Sequence, residues 1–208
     1  MTDKPALRLL LYDRTCTGGR MPLGLTHTWM VGQHLYAGLG RIDRAFGAAT
    51  WAEALDWLGS VGGERQISEV QYWGHGHWGS VEIGGEGLTR DALDPTNPHR
   101  PGLERLRERL TGDALLWFRT CDAFGARKGH DFAMAWADFM GCDIAGHTFV
   151  IGLWQSGLHR ISPGQAAHWP DDEGVREGTA AEPKRSTWSG PLKPNTISFL
   201  GGRIPKGW

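Results

Sequence analysis

The chain has 208 residues, of which 40% are hydrophobic, 31 are glycine and 11 are tryptophan. That length suits one domain able to bury about 70% of the surface its unfolded chain exposes. Its 22 Lys and Arg against 23 Asp and Glu leave a formal charge of −1, which excludes the basic footprint of a general nucleic-acid binder and the large net charge of a disordered chain.

The first apolar run, Leu7–Tyr12 (LRLLLY), predicts a buried strand. Trp51–Leu58 places Trp51, Leu55 and Leu58 on one helical face, with Thr50 as the N-cap. Ile67–Trp73 (ISEVQYW) predicts a second strand, and Ser80–Leu88 (SVEIGGEGL) a β-hairpin with Gly-Gly near its tip. Pro101–Leu110 repeats Leu103, Leu106 and Leu110 at helical spacing, with proline near the helix start. Ala114–Phe118 (ALLWF) predicts a third strand, and His130–Met140 a third helix with Phe132, Ala133, Trp136 and Met140 on its apolar side. Thr148–Leu153 (TFVIGL) predicts a fourth strand. Residues 155–195 are rich in Gly, Pro, Ser and charge, and Thr196–Leu200 predicts a last strand at a sheet edge. Strands alternating with helices argue an α/β fold with a mostly parallel sheet. Residues 1–154 form the expected core, and the Gly/Pro/Trp-rich arm 155–208 is expected to pack on the same domain.

Three cysteines, Cys16, Cys121 and Cys142, are too few for a disulfide framework and lack CxxC spacing. A reducing compartment is the simplest reading. The apolar run Leu9–Leu11 is too short for a signal-peptide core, and nothing approaches the ~20 apolar residues of a membrane span. The expectation is a cytoplasmic protein that binds neither membrane nor nucleic acid.

Two segments carry the chemistry. Tyr72-Trp-Gly-His-Gly-His-Trp-Gly79 follows the second strand, and Phe118-Arg-Thr-Cys-Asp-Ala-Phe-Gly125 follows the third. In a parallel sheet the strand C-termini share one edge, where ligand sites form. His75 and Cys121 can therefore meet there, the imidazole helping to generate the nucleophilic thiolate. Gly76 lets backbone approach a substrate carbonyl and offer an N–H to the developing oxyanion.

A strand ending in His-Gly, followed about 50 residues later by a strand ending in Cys, resembles the caspase-like superfamily of cysteine peptidases. The segments GHGHWGSVEIGG (74–85), WFRTCDAFG (117–125) and GHDFAMAWADFMGCDIAGHT (129–148) resemble a bacterial caspase-like domain found in large surface adhesins. The resemblance covers residues 67–153 and, more loosely, 7–153. It implies a three-layer α/β/α sandwich and a peptide or protein substrate, with no cofactor. It also implies His75 as the dyad histidine, Cys121 as nucleophile, and the N–H groups of Gly76 and Cys121 as the oxyanion hole. The loop after the first strand, with Asp13, Arg14 and Arg20, would contribute to substrate binding, as would Trp78 and Asp122. The sequence departs from that pattern at Gly74 and at Arg119-Thr120.

Two other readings stand beside the hydrolase. One is a binding or scaffold protein that keeps the fold without the chemistry, favoured if Cys121 is buried; the tryptophans would then supply a surface for a protein partner. The other is a metal hydrolase in which His75 and His77, on one side of an extended segment, are joined by His147, with Asp122 available to complete the set.

Overall fold

The computed structural model describes residues 5–18, 24–205 and 207–208. Strand β1 (Leu7–Asp13) leads to helix α1 (Leu25–Gly38), strand β2 (Arg44–Ala48), helix α2 (Trp51–Ser60) and strand β3 (Ile67–Trp73). A small antiparallel sheet follows, made of β4 (His75–His77), β5 (Ser80–Ile83) and β6 (Glu86–Leu88). Helix α3 (Arg100–Arg109), strand β7 (Leu110–Arg119), helix α4 (Ala126–Met140) and strand β8 (Asp143–His147) complete the regular alternation. The last quarter holds β9 (Trp154–Gln155), β10 (Leu158–Ile161), β11 (Val175–Gly178), β12 (Pro183–Ser186) and β13 (Ile197–Ser198).

The central sheet has six strands in the order β2-β1-β3-β7-β8-β10, all parallel except β10, which runs antiparallel to β8. This is the α/β sandwich expected. Side chains alternate between its faces with the period of two that strands impose. Leu9, Leu11, Leu116 and Phe118 face α2, α3 and α4 together with Trp51, Leu103, Phe132 and Trp136. Leu10, Tyr12 and Trp73 face α1 through Tyr36. Among the described residues no helix covers the rest of that second face. Trp117, Ala145 and Leu158 pack instead against Ile197, Ile204 and Trp208, so the irregular C-terminal segment supplies the missing layer.

Buried Arg119 sews the two halves of this second face together. Its guanidinium donates to Gln155 Oε1 (2.6 and 3.0 Å), Gln71 Oε1 (3.3 Å), the Phe199 carbonyl (3.0 Å) and the Tyr36 hydroxyl. It also lies 4.5 Å from the centre of the Trp117 ring, a cation–π distance. A second polar anchor holds the arm elsewhere. Glu173 accepts from Thr148 Oγ1 and bonds His159 Nε2, both at 2.7 Å, and His159 stacks on Trp169 at 4.6 Å.

Local chemistry explains most elements. Thr50 caps α2 by accepting from the Glu53 N–H at 3.2 Å, and Glu53 returns a bond to the Ala49 N–H. Gly84 and Gly85 turn the hairpin with φ of 61° and 81°, a region side chains disfavour.

Two expectations are corrected, and two elements, α1 and β2, carry no signal in the sequence pattern. The fourth strand is Asp143–His147, not Thr148–Leu153. After His147 the backbone leaves the sheet, its groups bonding the loop at Asp122 and the strap at Thr187. The final edge strand is β10, inside the presumed arm past residue 154, while Thr196–Leu200 contributes β13, which pairs only with β9. Helix α1 gave no clear amphipathic signal, because Val31, Leu35 and Leu39 are exposed and no side chain caps its start. Strand β2 is a short, largely half-buried edge, RAFGA, without a run of large apolar residues.

Candidate active site

The sheet order reverses at β1, which lies between β2 and β3, and parallel sheets place ligand crevices at the carboxyl ends of their strands. A cleft of ≈ 460 Å³ opens at that edge, past the ends of β3 and β7. Gly76, His77, Cys121, Asp122 and Val150 line its inner side; Arg176, Lys184, Arg185, Ser186 and Trp188 line its outer side.

Two backbone bonds clamp the chemistry-bearing loops together. The Trp78 N–H donates to the Asp122 carbonyl (3.2 Å), and the Gly79 N–H to that of Ala123 (2.8 Å). Trp78 and Asp122 pay for this contact with φ of 23° and 32°, a region that costs a residue with a side chain about 1–3 kcal/mol. Gly76 is the closest approach. A Cβ there would stand 2.4 Å from Thr120 Oγ1 and 3.0 Å from the Cys121 carbonyl oxygen, so only glycine lets β4 lie against the cysteine loop.

His77 Nδ1 lies 3.0 Å from Asp122 Oδ2, an oxygen that also accepts from the Ser186 hydroxyl. Burial raises the Asp122 pKa, opposed by the Ser186 hydroxyl and by His77. With Nδ1 engaged, Nε2 is the nitrogen of His77 left for proton transfer. Cys121 is half-buried, and burial pushes its thiol up to about 11, the Ile151 backbone bond working in the opposite direction. The resting sulfur is therefore a thiol and needs a base to become a nucleophile.

The other expected site residues are dispersed. His75, on the same strand as His77, is exposed; it does not line the cleft, and its ring meets Trp29 of α1 edge-on at 6.2 Å. Asp13 is buried as a turn organiser, accepting from the Thr15 N–H and hydroxyl, both at 2.7 Å. It also accepts from Cys16 Sγ and the Gly84 N–H, both at 3.3 Å. Arg14 reaches away to Glu53 at 3.1 Å. Neither borders the cleft, and Arg20 lies outside the described residues. Trp78 stands behind His77, ring centroids 3.7 Å apart, its buried indole N–H without a partner among the described residues, and it too is not part of the lining.

The metal set does not assemble. His147 is fully buried, bonded through Nδ1 to the Ser156 carbonyl (3.1 Å) and stacked near Trp117, away from the cleft. Among the described residues no group of three or more His, Cys, Asp or Glu is arranged to hold a metal ion. Burial, and next the Arg119 charge, push His147 down to about 3. A histidine so depressed stabilises the fold above its unfolded value near 6.5 and withdraws that support as pH falls toward 3. The full interval corresponds to roughly 5 kcal/mol. Wild type is expected to lose melting temperature between pH 6.5 and 4 more steeply than His147→Phe. Parallel curves would assign the acid sensitivity elsewhere.

Sequence reasoning missed the entire outer wall. Ser186 lies 64 residues beyond Asp122, and no local pattern in residues 175–188 signals contact with a distant loop. His77 was visible in the sequence, but only as a metal ligand.

The class defined by this fold and cleft is an α/β sandwich with a Cys/His/Asp-lined site at the carboxyl edge of its sheet. A family described as a domain of unknown function (DUF4347) matches residues 48–158, more than half the chain, and the protein belongs to that family. Comparison with curated proteins gave no match. The matched region contains β3 through β8, and hence Gly76, His77, Cys121 and Asp122; β11 and β12 lie outside it. Among the described residues no helix is long and apolar enough to cross a membrane.

Proposed function

We propose that this protein is a cysteine hydrolase acting on peptide bonds, with Cys121 as its nucleophile. The observation that carries the reading is the shared cleft, in which Cys121, Gly76, His77 and Asp122 stand together. His77 Nε2 takes the Sγ proton as sulfur attacks the scissile carbonyl, forming a C–S bond. The carbonyl oxygen becomes an oxyanion, received by the N–H groups of Gly76 and Cys121. Collapse breaks the C–N bond, and His77 returns its proton to the departing amine. Water, activated by the same imidazole, then hydrolyses the thioester and frees the thiol. Asp122 holds the ring in the tautomer this requires.

The resemblance to caspase-like peptidases favours His75 in place of His77, whereas the bond to Asp122 and the position in the cleft favour His77. Paired variants decide between them on a mixed peptide library. His77→Ala is expected to lower kcat/KM at least about 100-fold, and His75→Ala by no more than about threefold, with both variants keeping wild-type circular dichroism. The reverse order gives the base to His75.

A second reading, a binding protein without turnover, is favoured by one observation: Cys121 is half-buried, and that burial pushes its thiol up to about 11. Absence of cleavage by wild type across the library, with retained peptide binding, would establish that reading and overturn the hydrolase.

A further inference from the structure

The cleft has a charge that the chain as a whole lacks. Formal charge sums to −1 over the sequence, yet Arg176, Lys184 and Arg185 all border this one opening. They come from β11 and β12, paired antiparallel, so the three cations sit on one small ribbon. All three are exposed. Arg185 is partly neutralised by Glu177 at 3.2 Å, whereas Arg176 and Lys184 make no ion pair among the described residues.

The ribbon is tied to the reactive loop. Ser186, the last residue of β12, donates to Asp122. The following strap pairs with Val150: the Val150 N–H donates to Thr187 (3.0 Å) and the Ser189 N–H to Val150 (2.8 Å). Trp188, 67% exposed, adds an open aromatic wall beside the cations. Among the described residues the only carboxylate lining the cleft, Asp122, is buried and already bonded to His77 and Ser186, so it does not compete for the ribbon's cations.

We propose that the β11–β12 ribbon selects acidic peptides, placing Asp or Glu side chains against Arg176 and Lys184 while the peptide backbone crosses Cys121. This rests on the cleft being a peptide site, as argued above, but not on turnover. Opposite charges speed encounter and fix which partner is accepted, and exposed pairs lose strength as salt rises. Because the ribbon lies outside the family match, the selectivity belongs to the C-terminal part of this chain.

The test uses full-length Cys121→Ala, so that binding is read without cleavage. Fluorescence anisotropy would compare labelled decapeptides rich in Glu, in Gln and in Lys, together with a single-stranded oligonucleotide. The Glu peptide is expected to bind at least about tenfold more tightly than the Gln peptide at low salt, with the preference shrinking as salt rises. Arg176→Gln combined with Lys184→Gln should erase that preference, and Arg176→Glu with Lys184→Glu should transfer it to the Lys peptide. Arg185→Gln should have a smaller effect. Equal binding of Glu and Gln peptides, no peptide binding, or binding of the oligonucleotide alone would each overturn the proposal. Cleavage by wild type is scored separately, so an inactive but acid-selective cleft would refute the hydrolase and leave this inference standing.

Discussion

Cys121→Ala is expected to abolish the proposed peptide cleavage, a fall of at least about 10⁴-fold, because Cys121 carries the one thiol among the described residues lining the cleft and the Ser186 hydroxyl there is engaged with Asp122. The melting temperature should stay within about 3 °C of wild type, since losing one half-buried sulfur costs no more than about 1 kcal/mol. Cys16 and Cys142 cannot substitute. Cys16 donates to Asp13 in the turn after β1, and burial, then the Asp13 bond, push it up to about 11. Cys142 is buried behind α4 and pushed up to about 12 by the same desolvation. Small-molecule alkylation of Cys121 in the resting protein should be slow at neutral pH and rise toward pH 11, following the thiol's own ionisation. A substrate-like electrophile should react far sooner, because binding sets the carbonyl beside Sγ while His77 removes the proton.

Arg119→Met is the second large effect, this time on stability. The substitution keeps an apolar stem between Trp117, Trp73 and Tyr36 but removes the guanidinium's donors from the junction of α1 with the C-terminal layer, leaving those of Tyr36 and Arg41. Among the described residues Gln155 Oε1 is then left without its donor, while the Phe199 carbonyl keeps the Tyr36 hydroxyl at 2.6 Å. Stranding that acceptor and losing the charged donor's other bonds should cost roughly 2–3 kcal/mol, which for a domain of this size lowers the melting temperature by roughly 4–12 °C. Lysine is not a conservative replacement, because one ammonium cannot reproduce the planar fork that reaches Gln155, Tyr36 and Phe199 together. Amide exchange should locate the damage in α1 and in the segment around Phe199. An Arg119→Met protein melting within 2 °C of wild type would show that the apolar contacts alone hold this layer.

What the sequence revealed, and what it hid, follows from the range of the interactions involved. Strands β1, β3 and β7 announce themselves as apolar runs, because each is buried between two layers. Helices α2 and α3 carry an unambiguous apolar stripe, and α2 a threonine cap. The run Thr148–Leu153 misleads for a physical reason. Phe149 is buried, but its carbonyl accepts from the Asp122 N–H of the cysteine loop and not from a neighbouring strand. Apolar composition reports burial without saying which backbone partner waits there. Helix α1 hides because its exposed side carries Val31 and Leu35, leaving little contrast between faces.

The site divides along similar lines. Gly76, Cys121 and Asp122 sit where strand ends had to bring them, a consequence of parallel topology readable from the order of the elements. Choosing between His75 and His77 depends on a bond to Asp122 that no spacing rule encodes. Arg119, read in sequence only as a departure beside Cys121, proves to be a packing device on the opposite face of its strand from Phe118. Ser186, Trp188 and the basic ribbon arrive through the return of the arm, stabilised by Glu173, His159 and Trp169, contacts that span the chain and leave no local pattern.

The most direct test of the central claim is to incubate the protein at pH 7 with an acidic peptide carrying a thiol-reactive ketone in place of its scissile amide, then to map the adduct by peptide mass spectrometry. The account predicts a single adduct, on Cys121, formed much more slowly in His77→Ala and absent from Cys16 and Cys142. An unlabelled Cys121, or labelling of Cys121 at the same rate with and without His77, would contradict the assignment of this cleft as a cysteine-hydrolase site with His77 as its base.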